Sequence, residues 1–385
     1  MRILYDGEIY SIFRHGGVIR YFQHLIAGLP PEDTPFLLGN RMPDVLPSHP
    51  NLQLAIQSYD WVATPLKPIR KWLDRGYCHR KWREVEPDLI HPTYFNEVAR
   101  GRYDQRKVPL VLTVYDMIHE RFPDQVDRHG RHSEKKRQAV NRADHLLCIS
   151  ETTRQDLIEW FNVPPEKTSV TLLAVDDTFS CTLDANESSE PPNANAAPYF
   201  LFLGRRDRYK NFWLLLDALF ICRNKLAEKT LPFQLQVLGA PLTADESQRI
   251  AELGLQKTVV WQPVLDDRTL RSWYQHSLAL VFPSLWEGFG LPLLEALASG
   301  TCVIGSDIPV FRELVGDGFE PFDPNDAESL AAALERIFQN PGERARRIAI
   351  GVSRLPRYNW AATAAATRAV YDQLWQSSDS VNRHT

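Results

Sequence analysis

The chain has 385 residues, more than one compact domain of ~100–200 residues uses, so two domains are expected. Hydrophobic residues make up 44% and charged residues 24%, which excludes a mostly disordered or fibrous chain. Lys+Arg 44 against Asp+Glu 48 leaves a net charge of −4, which argues against a globally basic nucleic-acid binder but allows local positive patches.

In chain order, the first half predicts strands over 2–5, 35–38, 88–91, 110–114, 145–149 and 169–173. Helices are predicted over 18–29, 66–83, 132–142 and 152–161. Strands alternating with helices imply crossover units and a mostly parallel sheet covered on both faces. From 180 to 198 the composition shifts to Ser, Asn, Ala, Pro and Glu, with Pro191-Pro192 in the middle, which predicts a linker or boundary loop. The pattern then restarts. Strands are predicted over 199–203, 233–238, 258–261, 278–282 and 302–305, and helices over 212–226, 244–253, 267–276, 291–299, 326–338 and 342–353. The fold class is α/β, with two Rossmann-like domains in series: 1–178, a linker over 179–197, and 198–361.

The five cysteines, Cys78, Cys148, Cys181, Cys222 and Cys302, are scattered and form no C-x-x-C pair. A disulfide framework or zinc site is not expected, and a cytoplasmic location fits. The start of the chain lacks the apolar core of about 7–15 residues of a signal peptide, and no window reaches the ~18–20 apolar residues of a membrane span.

Rossmann-like halves bind ligands at the carboxyl ends of their strands. Four strings lie at such places. His15-Gly16-Gly17-Val18 precedes the 18–29 helix, where glycines allow close backbone approach and a helix start offers free N–H groups. A simple strand-to-helix turn is the plainer reading. Gly204-Arg205-Arg206-Asp207-Arg208-Tyr209-Lys210-Asn211 follows the 199–203 strand, and an arginine fork with a lysine suits a diphosphate. The competing reading is a solvated charged loop.

The third string runs from Pro283 through Glu287-Gly288-Phe289-Gly290-Leu291 to Glu295. The Gly288-Phe289-Gly290 backbone can present N–H groups to an anion. Glu287 could hold a sugar hydroxyl or stabilise positive charge, and Glu295 a ribose; a surface acid and a helix-capping acid are the bland alternatives. The fourth is Thr113-Val114-Tyr115-Asp116-Met117-Ile118-His119-Glu120, where Asp116 and His119 close a strand. A binding or catalytic role competes there with an Asp cap and a satisfied surface histidine.

Glu287 and Glu295, with seven residues between them, resemble the E-x7-E motif of retaining glycosyltransferases of family 4, which have the GT-B fold. The run from Val281 to Ile304, Gly16-Gly17-Val18, Ile149-Ser150-Glu151, and Gly204-Arg205 with Lys210-Asn211 are similar to that family too. Trp360 before an alanine-rich stretch resembles the family's closing helix, about 362–385, which crosses back to the first domain. The resemblance implies two parallel-sheet domains facing across a cleft, the second holding a nucleotide-sugar donor and the first the acceptor. Arg205 and Lys210 would contact the donor diphosphate, and Glu287 its sugar. The backbone of Gly204 and of Gly288, Phe289, Gly290 and Leu291 would assist, and Glu295 would take the ribose. Gly16 and Gly17 would lie near the donor phosphates, and Asp116 near the donor sugar. Tyr115 stands where family members often carry a histidine, so His119 is a candidate to supply the imidazole.

The implied reaction moves a hexose to a hydroxyl with retention, in cell-surface polysaccharide or glycolipid synthesis. It needs no metal and no cofactor besides a GDP- or UDP-linked donor. GDP-mannose is the first choice of donor, from the resemblance to bacterial polysaccharide mannosyltransferases; UDP-glucose and UDP-N-acetylglucosamine stay open. The acceptor would be a glycan or a lipid-linked sugar. The segment 67–83 is basic and aromatic and could lie on the anionic cytoplasmic face of a membrane; a solvated helix with Trp72 and Trp82 turned inward is the alternative. A GT-B nucleotide-sugar epimerase and a non-catalytic nucleotide-sugar binding protein are the competing classes.

Overall fold

A computed structural model describes residues 1–14, 16–39, 41–57, 67–180, 197–227, 230–263 and 266–382. The chain forms two compact units. The first comprises Met1–Pro123, Asp127–Leu173 and Trp360–Thr385; the second comprises Asp124–Val126 and Ala174–Asn359.

The first unit runs β1 (Arg2–Tyr5), α1 (Glu8–Ile12), α2 (Gly17–Ala27), β2 (Thr34–Gly39), β3 (Gln53–Ile56), α3 (Lys67–Val85), β4 (Leu89–Ile90) and α4 (Asn96–Ala99). It continues with β5 (Val111–Val114), α5 (Ile118–Arg121), α7 (Arg131–Arg142), β6 (His145–Cys148), α8 (Glu151–Phe161) and β7 (Thr168–Val170), while α6 (Pro123–Val126) has all but its first residue in the second unit. All its strand pairs are parallel, in the order β3-β2-β1-β4, and a parallel bridge from Ile90 to Leu110 leads on to β5-β6-β7. Helix α8 starts at Ser150, whose hydroxyl accepts from the Thr153 N–H at 2.9 Å, and stops at Asn162 in the left-handed region. Ser150 of the Ile149-Ser150-Glu151 string is therefore a helix cap.

The second unit runs β8 (Tyr199–Leu203), α9 (Phe212–Asn224), β9 (Gln234–Leu238), α10 (Ala244–Glu252), β10 (Val259–Gln262), α11 (Asp267–His276) and β11 (Ala279–Phe282). It continues with α12 (Leu291–Ala298), β12 (Val303–Ser306), α13 (Pro309–Val315), β13 (Glu320–Phe322), α14 (Ala327–Gln339) and α15 (Pro341–Val352). Its six strands are parallel in the order β10-β9-β8-β11-β12-β13. β8 and β11 are apolar along their length because helices cover both faces. Phe200, Phe202, Leu215, Leu219 and Ile304 sit in its core.

In both units the strand order reverses beside the first strand: at β1/β4 in one, at β8/β11 in the other. A crevice opens at the carboxyl ends of such a pair because the two following connections depart to opposite faces. The linker expected over 179–197 falls mostly on 181–196, outside the described residues. Phe179, just before them, packs on Tyr274 of the second unit, and the Ser299 hydroxyl donates to its carbonyl at 3.2 Å.

The last helix, α16 (Trp360–Asn382), packs on α2 within the first unit. Trp360 stacks on His24 with ring centroids 4.5 Å apart, and the Thr363 hydroxyl donates to the Leu172 carbonyl at 2.7 Å. Arg368 donates to both carboxylate oxygens of fully buried Asp33, at 2.5 and 3.1 Å. Tyr371 reaches a buried polar chain: its hydroxyl bonds His91 Nδ1, and His91 Nε2 bonds Thr113 Oγ1 at 2.8 Å.

Burial holds the His91 imidazole down to about 3, so it is neutral in the fold while the unfolded chain titrates near 6.5. A depressed folded value means that the contribution is present above the unfolded pKa and fades as pH falls. The expected cost at pH 5 is ~2 kcal/mol relative to pH 7. Calorimetry should show a decline in stability between pH 6.5 and 5 that is shallower in His91→Gln.

Candidate active site

Two loops of the second unit leave the sheet at its reversal point, one after β8 and one after β11, and they meet. Lys210 Nζ donates to Glu287 Oε1 at 2.6 Å, with side-chain exposures of 20% and 11%. Lys210 also lies over the Phe282 ring, 5.6 Å from its centroid, and the Leu285 N–H donates to the Tyr209 carbonyl at 2.8 Å. The charged pair is thus held from both loops, on an apolar floor at the end of β11.

The arginines of the first loop divide. The Arg206 side chain is only 5% exposed and is bound to Glu246 at 2.8 Å and to the Pro241 carbonyl at 2.6 Å. Glu246 is the same residue that completes the capping box of α10 with Thr243, so Arg206 ties the loop to that helix. Arg205 is 78% exposed on a surface pair with Asp207 at 3.0 Å, which holds it weakly. Gly204 has φ +119, a conformation that L side chains rarely adopt.

In the second loop, Gly290 caps α12 at φ +140, where an added Cβ would meet the Phe311 ring at 3.1 Å. Only glycine fits both demands. Pro292 sits in the first turn, and Leu293 N–H donates back to the Gly290 carbonyl at 3.0 Å. Phe289 is a core residue, its ring edge-on to Tyr358 at 6.0 Å, so only its backbone can serve a ligand. Glu295 is buried on α12 and accepts from the Tyr274 hydroxyl at 3.3 Å. The sequence did not single out Tyr274; its signal is a phenol beside Leu270 and Trp273 on the buried face of α11.

In the first unit, Gly16 has φ +142 and Gly17 opens α2; His15 lies outside the described residues. Asp116 follows β5 and accepts from the Ile118 N–H at 3.0 Å, so it does cap the next segment. Buried Lys136, also not singled out, donates to the Asp116 carbonyl at 2.9 Å and to Glu120 at 2.7 Å. His119 stacks on His132 with centroids 3.7 Å apart, and His119 Nδ1 is buried without a hydrogen-bond partner. Burial lowers both imidazoles, His132 to about 4, so neither adds charge at neutral pH.

Two acids were not singled out. Asp6 follows β1, buried, accepting from the Thr93 N–H and hydroxyl at 2.9 Å. Glu8 opens α1, and burial beside Asp6 and Glu97 pushes its carboxyl up to about 8.

The basic segment 67–83 lies in α3, where Trp82 packs inward, edge-on to Tyr103 at 5.6 Å. The Trp72 side chain lies outside the described residues. Arg80 and Lys81 pair with Glu84, and among the described residues no helix is long and apolar enough to cross a membrane.

Comparison with known proteins follows this division. Residues 15–179 match the family described as Glycosyltransferase Family 4, and residues 184–352 match Glycosyl transferases group 1. The O-antigen chain mannosyltransferase RfbU of Salmonella typhimurium is 30% identical over 230 residues, 60% of this chain and 61% of that protein. The serotype-specific mannosyltransferase WbdA of Escherichia coli is 26% identical over 246 residues, 63% of this chain and 30% of that one. The chain thus spans less than two thirds of the length of these two curated relatives. Sucrose-phosphate synthase from Thermosynechococcus elongatus shares the fold at a TM-score of 0.75 and 20% identity, over 98% of this chain and 99% of that one. The two Rossmann-like units have the GT-B fold, and the chain belongs to the family 4 glycosyltransferases.

Proposed function

We propose that the protein is a retaining glycosyltransferase that moves a hexose, mannose first, from a GDP- or UDP-linked donor to a hydroxyl of a glycan or lipid-linked acceptor. The reading places it in cell-surface polysaccharide synthesis. The observation that carries it is the Lys210–Glu287 pair, held where the loops after β8 and β11 meet beside the start of α12.

The chemistry follows from those groups. Departure of the diphosphate leaves an oxocarbenium-like sugar and a growing negative charge. Lys210, Arg205 and the N–H groups around Gly288–Leu291 meet that charge, each such contact supplying ~3–4 kcal/mol. These side chains carry the role a divalent metal would otherwise take. Glu287 lies within reach of Lys210 and balances its charge before the donor arrives; with the lysine drawn to the diphosphate, the carboxylate is left for the donor sugar. Glu295, steadied by Tyr274, takes the ribose, and Gly16 and Gly17 approach the phosphates. Asp116 serves the donor sugar from the first unit, with His119 as the nearby neutral imidazole and Tyr115 in the place of the family's histidine. Transfer, and not epimerisation, is favoured because the E-x7-E loop has no acid–base pair for elimination at the sugar.

Thermal shift with GDP, UDP and ADP tests the donor reading. One nucleotide at 100 times its Kd should stabilise by ~2.7 kcal/mol. The shift should vanish in Lys210→Ala and persist or grow in Glu287→Gln, which frees the lysine. Equal, negligible shifts with all three nucleotides would contradict the assignment.

An anionic membrane surface is proposed as a second partner, through exposed Arg80 and Arg83 of α3. Sedimentation with anionic liposomes at low salt tests it, and no pelleting removes it.

A further inference from the structure

The turn after β5 carries Asp116, and α7 packs against α5 at the end of that turn. Lys136 of α7 is buried there. A buried ammonium is costly unless its N–H groups find partners. This one donates to the Asp116 carbonyl at 2.9 Å and to Glu120 Oε2 at 2.7 Å, and lies 3.8 Å from Asp116 Oδ1. One cation thus meets both the backbone and the side chain of Asp116.

Exposure separates the roles. The Asp116 side chain is 31% exposed, whereas those of Lys136 and Glu120 are 6% and 4% exposed. A ligand at the carboxyl end of β5 reaches the aspartate but not the lysine. Oδ1 of Asp116 also accepts from the Ile118 N–H at 3.0 Å. That oxygen is therefore occupied, and Oδ2 is the one left for a ligand among the described residues.

A second contact clamps the same two helices. His132 lies one turn before Lys136 on α7, and His119 directly precedes Glu120 on α5. Their rings stack with centroids 3.7 Å apart, and the Phe95 ring stands edge-on to His132 at 4.8 Å. Burial keeps both imidazoles neutral, so of these four side chains Lys136 alone is positive. Glu120 depends on it: its Oε1 is buried with no hydrogen-bond partner. The pair with Glu120 would account for the burial of Lys136, but not for its bond to Asp116.

We propose that Lys136 is the positioning residue for Asp116. It fixes the turn after β5 and holds the carboxylate so that Oδ2 accepts from a hydroxyl of the donor sugar. The word donor rests on the glycosyl-transfer reading; the positioning does not.

Amide hydrogen exchange over 115–121 in the full chain tests the positioning without any substrate. Lys136→Met keeps length and loses charge. It should speed exchange there by ~10-fold or more, as loss of a hydrogen bond to a charged group does. Lys135→Met, at the exposed neighbouring position, should not. Lys136→Met also strands Glu120, so Lys136→Met/Glu120→Gln is made beside it. That pair of changes removes both charges and should recover the Tm. Exchange should stay fast in it, and turnover should stay ~10²-fold low with the donor KM unmoved, since a misplaced group costs rate and the nucleotide is held by the second unit. Unmoved exchange in Lys136→Met overturns the proposal. So does recovery of both exchange and turnover in the double variant, because Lys136 would then serve Glu120 alone. Normal turnover in Asp116→Asn, with the turn still loosened in Lys136→Met, keeps the positioning and removes Asp116 from the proposed reaction.

Discussion

Lys210→Ala is expected to lower turnover by ~10²-fold or more with any donor the protein uses. The lysine sits at the reversal point of the donor sheet, on the Phe282 ring, with its ammonium on Glu287. A preorganised cation in a partly buried site is worth ~3–4 kcal/mol to a departing diphosphate, because it needs no reorganisation as charge develops. Lys210→Arg should recover part of the loss, since charge is kept while the compact geometry is not. Arg205→Ala should cost less, because Arg205 is exposed and must be drawn in by the ligand. Steady-state release of nucleoside diphosphate measures all three, and near-normal turnover in Lys210→Ala would remove the diphosphate assignment.

The second large effect is on stability. Asp33 is fully buried and receives Arg368 from the last helix and the Met1 amine, the latter at 2.9 Å. Asp33→Ala leaves the buried Met1 amine without its carboxylate and Arg368 with Asp372 alone, and breaking a buried pair costs ~3–5 kcal/mol. For a unit of this size that is a fall in Tm on the order of 10 °C. Removing Arg249, whose pair with Asp217 is half-exposed on both sides, should cost under about 1 kcal/mol. Calorimetry of the two variants in parallel checks the contrast. Similar small losses would mean that α16 is held by its apolar contacts and by the His91–Tyr371 chain.

Much of the fold was legible because the strands are buried on both faces and so read as continuous apolar runs, as at Tyr199–Leu203 and Ala279–Phe282. β3 was not, because it is an edge strand with Gln53 and Leu54 exposed and only Ala55 turned inward. β13 spans three residues with a proline at its centre, and α13 is a short helix opened by Pro309; neither gives a period long enough to detect.

The site was legible in unequal parts. The loop around Glu287 announces itself through glycines and a proline at fixed offsets from two acids. That Glu287 meets Lys210, 77 residues away, follows only from β8 and β11 being neighbours. The separation of Arg206 from Arg205 depends on a buried acid in α10 that no local pattern connects to it. Glu8 and Tyr10 gave no motif at all. Their single signal was an acid and a phenol straight after the first strand, and the rise of the Glu8 carboxyl comes from burial beside Asp6 and Glu97, which no local pattern connects to it.

Transfer of a hexose with retention is read most directly from the product itself. The protein is incubated with GDP-mannose, UDP-glucose or UDP-N-acetylglucosamine and a panel of glycoside acceptors, and proton NMR follows the anomeric signals. One donor should be consumed, nucleoside diphosphate should appear in equal amount, and the new glycosidic bond should carry the donor's anomeric configuration. A product of opposite configuration, an epimerised donor, or tight nucleotide binding with no donor consumed would contradict it.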